Sequence, residues 1–306
     1  MDIDDQAAND ATLAEARLLL LEGDKDGLAT LLDARPDLIR SRFATTDVPY
    51  DGYFHGATLL HHVAGNPLII ELPANIVELT QHVLKRGAEV DSVTLQGPSQ
   101  PSDIGWTVLG LVATSAAART AGAQGPLMNA LIEAGADIDA RNGGSLIGAL
   151  YYGEGQAARY LADKGARLDL VAAAGLGDTP RLADFLGEGG DEPEVRLAHY
   201  GLADWPKDAG RRERLGVALI YAALHGHVEA MQMLLDAGAD PDDRPPFDHH
   251  GTALHWAVMG DQPGAVRVLL EAGAERNVRD RSFGSTPEGW ARHLKKTAAL
   301  GALSGA

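Results

Sequence analysis

The chain has 306 residues, 45% of them hydrophobic, with 26 Lys and Arg against 43 Asp and Glu, a formal charge of −17 and no cysteine. That apolar fraction is ample for a core. The acidic excess argues against a nucleic-acid partner, because phosphate affinity comes from lysine and arginine, and the missing thiols exclude disulfides and thiolate zinc sites.

The opening MDIDDQAANDATLAEA has neither the basic nor the apolar region of a secretion signal, and no apolar run reaches the length of a membrane span. The expected location is therefore the cytoplasm. Residues 12–42 read as an opening, cap-like helix pair that turns at Gly23-Asp24 and ends near Pro36. The next unit, 56–92, opens on TLLHHVA (58–64) and closes on VLKRGAEVDS (83–92). Unit 105–142 repeats the pattern with TVLGLVA (107–113) and LIEAGADIDA (131–140), and unit 143–169 runs into YLADKGARLDL (160–170). Unit 170–200 is weaker. Unit 216–244 carries VALIYAA (217–223) and LLDAGADPDD (234–243), and unit 250–280 carries TALHWAV (252–258) and LLEAGAERNV (269–278). Residues 284–306 read as a closing pair, with Thr286 as cap and Pro287 at the first helical position.

Each closing phrase is an amphipathic helix that runs into a glycine (Gly87, Gly135, Gly165, Gly238, Gly273), the residue that ends a helix most readily. Thr58, Thr107 and Thr252 fit as N-caps, each offering an oxygen to an unpaired amide. Small residues behind them, such as Ala64, Ala222, Ala223 and Ala257, allow close helix packing.

Thr-x-Leu-His followed by Leu-Leu-x-x-Gly-Ala-Asp resembles the ankyrin repeat, and the resemblance covers nearly the whole chain. It implies an all-α fold, a single solenoid over 1–306 of about eight helix-pair units, some degenerate, joined by β-hairpin finger loops. It also implies that inner helices and fingers form a concave binding face. On the same grounds His61 and His255 tie a helix start to the hairpin by hydrogen bonds, and His227 opens a second helix. DRSFGSTPEGWARH (280–293) is similar to the last unit of a bacterial group in this family, departing from it at Ser285 and Glu288. That group supplies an architecture and no reaction.

Departures from the regular unit are where function is expected. GNPLIIELPA (65–74) and SAAARTAGAQG (115–125) lengthen two turns between helices and read as tolerated surface insertions. The fingers 43–58 and 92–107 are long, whereas GARLDLVAAAGLGD, following Lys164, leaves almost no room for one. A notch in the concave wall, and a pocket in it, are expected there. A further insertion, 190–216, carries Trp205, Arg211, Arg212 and Arg214 and reads as a solvated helix extension rather than an anion clamp.

Aromatic and histidine side chains on fingers and inner helices supply the large, rigid, polar-edged area that recognition needs. On the first finger these are Tyr50, Tyr53 and His55, followed by His62 and Trp106. Tyr151, Tyr152, Tyr221 and His225 follow along the chain. The finger PPFDHHG adds Phe247, Asp248, His249 and His250, and Trp256 and Phe283 complete the set. These residues are expected to bind a protein partner, one with a basic surface given the net charge. The alternative is an enzyme or small-molecule binder in which Asp248, His249, His250 and Tyr53 perform acid/base chemistry of an isomerase, cyclase or hydrolase type. Its pocket would be roofed by residues 43–58 and 245–251. No nucleophile elbow, P-loop, dinucleotide fingerprint or HExxH occurs, and adjacent histidines diverge on an extended loop, so neither a metal nor any other cofactor is expected.

Overall fold

The structure, a computed structural model, describes residues 3–43, 56–65, 71–95, 105–187, 195–196, 208–246 and 248–305. Its contacts divide the chain into two compact units, Met1–Arg141 and Asn142–Ala306. Helices dominate both, and no β-strand forms among the described residues.

In the first unit α1 (Ile3–Glu22) and α2 (Lys25–Ala34) form the opening pair, with Asp24 accepting from the Gly27 amide at 2.9 Å to start α2. Leu13, Leu20, Leu28 and Leu32 close their shared core. A 3₁₀ turn at Pro36–Ile39 ends the pair. The segment after Thr58, Leu59–Ala64, is a 3₁₀ helix rather than an α-helix, and it packs against α3 (Ile76–Lys85) and α4 (Val108–Ala113). The second turn insertion folds into a short helix, α5 (Ala116–Thr120), before α6 (Gln124–Glu133). Ser115 caps α5 through the Ala118 amide at 2.9 Å and donates to the Ala64 carbonyl at 2.6 Å, so this insertion is built into the scaffold. The bases of the two long fingers pair as isolated antiparallel bridges, Arg42 with Thr58 and Val93 with Thr107.

The second unit runs α7 (Ala140–Tyr151), α8 (Gly155–Asp163), α9 (Leu170–Leu176), α10 (Thr179–Leu186), α11 (Arg211–His225), α12 (Val228–Asp236), α13 (Ala253–Met259), α14 (Pro263–Glu271), α15 (Pro287–His293) and α16 (Thr297–Gly305). Two layers result. In one, α9, α11, α13 and α15 each pack on the next; in the other, α10, α12, α14 and α16 do the same. Close approach needs small residues, and Gly175 on α9 shows why: a Cβ there would sit 3.0 Å from Leu150 and 3.4 Å from Tyr221. Helix ends follow the motif, with φ of 95° at Gly238 and 91° at Gly273, left-handed values that glycine adopts without strain. α11 begins at Arg211, so the basic trio is indeed a helix extension, and Arg212 meets Asp240 and Asp243 at 3.2 and 3.0 Å.

The gap left by the missing finger holds a buried ion pair. Arg196, from the 190–216 insertion, reaches Asp169 at 3.0 Å, with side chains only 1% and 3% exposed. Its guanidinium also donates to the Asn142 and Arg167 carbonyls, and a Cβ on Gly143 would overlap it. The notch that the short connection suggested is therefore filled by Arg196, because a buried carboxylate at the start of α9 needs a counter-charge.

Candidate functional site

The capping network of α13 sets the geometry around the second-unit finger. His255 Nδ1 lies 3.2 Å from the Thr252 amide and 3.0 Å from Thr252 Oγ1, and its Nε2 lies 3.1 Å from the Ser285 carbonyl of the following turn. In the first unit His61 Nδ1 holds Thr58 in the same way, at 3.0 and 2.9 Å. Both histidines act on structure. Burial, and then the nearby Arg42 charge, lowers His61 to about 4; burial, and then Arg17, lowers His62 to about 3.

Asp280 organises the turn before α15. It accepts from the Phe283 amide at 2.6 Å, the Ser285 amide at 2.9 Å and Trp290 Nε1 at 3.0 Å. Burial pushes its carboxyl up, but these three donors together outweigh burial and hold it below the ordinary range. Trp290, seated in this way, is the hub of an aromatic series. Its ring meets His255 at 5.1 Å, His249 at 5.8 Å, Trp256 at 6.1 Å and Phe283 at 6.5 Å between centroids. Tyr151 joins through Trp256 at 5.9 Å, and Tyr152 through Tyr151 at 5.0 Å.

On the finger itself, the Tyr151 hydroxyl donates to Asp248, whose other oxygen lies 3.4 Å from His249 Nδ1. Asp248 and His250 hold φ of 31° and 47°, left-handed values uncommon for such residues, so the Tyr151 bond and the Arg281 amide on the His249 carbonyl (3.0 Å) fix a strained turn. The imidazole of His249 rests on Phe283 at 4.9 Å. Beside it opens a groove of about 450 Å³ lined by His249, Met259, Phe283, Ser285, Gly289, Trp290, His293 and Leu294. Phe283 stands 68% exposed at its rim.

Matching residues 190–280 is a family model for ankyrin repeats, in three copies. Residues 190–280 carry ankyrin repeats. None of the curated proteins matches it. Ankyrin repeats generally serve as protein-interaction modules.

Among the residues singled out from the sequence, Tyr50, Tyr53, His55 and Phe247 lie outside the described residues. His62, Trp106, Tyr221 and Trp256 are core residues: His62 packs edge-on against Phe43 at 4.8 Å, and Tyr221 and Trp256 are each 1% exposed. These four side chains support the fold from within. His225 Nε2 donates to the Leu150 carbonyl at 2.8 Å and the ring stacks on His227, lining a separate groove of about 500 Å³ with Gln156 and Arg159. Asp248, His249 and Phe283 meet at one place, with Tyr151 behind them and Tyr152 beside Tyr151. The sequence reading passed over Trp290, Met259, His293 and Leu294. Trp290 followed the motif of the closing unit and so read as fold alone.

Proposed function

We propose that this ankyrin-repeat chain is a binding module that engages a protein partner through the finger residues His249 and Phe283 and the groove beside Trp290. One observation carries the reading. Phe283 is a large aromatic ring, 68% exposed, on a turn in which Asp280 accepts from the Phe283 and Ser285 amides and the Trp290 indole. A presented ring on a preorganised turn loses little freedom on binding, which is the economy of an interface anchor. Tyr151 and Asp248 then serve as supports that hold His249 in place. We read each helix pair as one unit, eight in all, the first and last being degenerate.

The acid/base alternative rests on Tyr53 and on a roof that includes residues 43–58, most of which lie outside the described residues. The described part of that set is Asp248, His249 and His250; the Tyr151 anchor on Asp248 and the packing of His249 on Phe283 favour a supporting role for the first two.

The test is a photo-crosslinking amino acid placed at 283, with a second at Val228, exposed on α12, as control. The reading expects a discrete protein adduct from source-cell extract at 283 and none at 228. Equal labelling at both positions, or none at either, would overturn it.

A further inference from the structure

The chemistry of the groove's surroundings allows the partner to be specified, on the footing that the groove is a protein-binding face. We propose that its occupant is an acidic protein segment presenting one large apolar side chain.

The charge of the chain is distributed unevenly. Residues 276–296 hold six Lys and Arg and only two Asp and Glu, against 26 and 43 in the whole chain. Both acids are engaged within the unit: Asp280 takes the three donors, and Glu288 pairs with Arg292 at 2.6 Å. Arg281 and Lys295 are exposed and form no ion pair among the described residues. They bracket the groove in sequence, Arg281 two residues before Phe283 and Lys295 directly after Leu294. The Arg281 amide is itself bonded to the His249 carbonyl. The expectation of a basic partner follows from the whole-chain sum, whereas residues 276–296 carry a basic excess.

The groove supplies the second half of the specification. Met259, Phe283, Trp290 and Leu294 make its lining mainly apolar, and its volume of about 450 Å³ falls within the roughly 300–1,000 Å³ of ligand-sized clefts. An apolar slot whose lining residue His249 is bonded to the Arg281 amide, and whose Leu294 is next to Lys295, suits an apolar anchor flanked by carboxylates. The anchor provides area removed from water, and the flanking charges provide steering and register. A basic segment would meet like charge from Arg281 and Lys295.

The full chain is titrated against three short fluorescent peptides by polarisation: an Asp/Glu-rich peptide with a central Trp, the same peptide with Ala for Trp, and a charge-reversed Lys version with Trp. The first should bind at least about tenfold more tightly than either control, and weaken as NaCl rises from about 50 to about 300 mM. Phe283→Ala, and separately Arg281→Glu with Lys295→Glu, should each lose that preference while the far-ultraviolet circular dichroism is unchanged. The proposal is overturned if the Lys peptide binds as tightly, or if both variants bind the acidic peptide as the parent does. Should the crosslinker at 283 capture a protein while the acidic peptide fails, the acidic class falls and the protein-binding reading stands. Should both fail, both fall.

Discussion

Arg196 Nε lies 3.0 Å from Asp169 Oδ2, with neither side chain more than 3% exposed. The same oxygen accepts from the Arg196 amide at 2.7 Å, while Oδ1 caps α9 through the Ala172 amide at 2.7 Å. Removing the arginine would leave a buried carboxylate with its counter-charge gone. Arg196→Ala should therefore cost roughly 3–5 kcal/mol of stability, measured by urea denaturation. A loss within the scatter of ordinary surface substitutions would show that the pair is dispensable.

Tyr151→Phe deletes the hydroxyl that holds Asp248 and leaves the ring on Trp256. The expected cost is roughly 1–3 kcal/mol, with a changed His249 imidazole resonance in the proton NMR spectrum. An unchanged His249 resonance would mean that the finger is held by other contacts.

Much of the fold was legible because capping chemistry is local. Thr107 and Thr286 accept from the amides three residues on, at 3.0 and 3.2 Å, as their place before a short apolar run implies. His61 and His255 behave likewise, since the Thr-to-His spacing brings the imidazole back onto its own helix start. The candidate site was less legible. Asp248 and Tyr151 lie 97 positions apart, and only tertiary packing brings them together. Arg196 was equally hidden: an arginine in an insertion reads as solvated, and its burial follows from Asp169, whose own role as a cap was not visible. The core placement of Tyr221 and Trp256 has the same origin, for their neighbours come from adjacent units.

Asp280→Ala should leave Trp290 Nε1 and the Phe283 and Ser285 amides without their acceptor. A loss of roughly 2–3 kcal/mol is expected, together with faster hydrogen exchange at the Phe283 and Ser285 amides. Unchanged exchange there would contradict the assignment of Asp280 as the organiser of the Phe283 turn.

Acid should destabilise the fold through its buried histidines. His61 and His62 are held at about 4 and about 3 against an ordinary 6.5, and burial lowers His225, His227 and His255 as well. The folded chain keeps these rings neutral while the unfolded chain takes up protons below 6.5. Stability is thus complete above that pH and declines as the pH falls towards 4, by on the order of a few kcal/mol for His61 and His62 together. Denaturation curves between pH 7 and 4 should show this slope, and His62→Leu should reduce it by about one proton. An identical slope in the variant would show that His62 does not titrate as its burial requires.

The protein-binding role of the His249 and Phe283 face is tested most directly by the crosslinker at position 283. A discrete protein adduct, present at 283, absent from the Val228 control and lost when Leu294→Asp closes the groove to apolar side chains, is the predicted result. The same adduct at both positions, or its persistence with Leu294→Asp, would contradict the account.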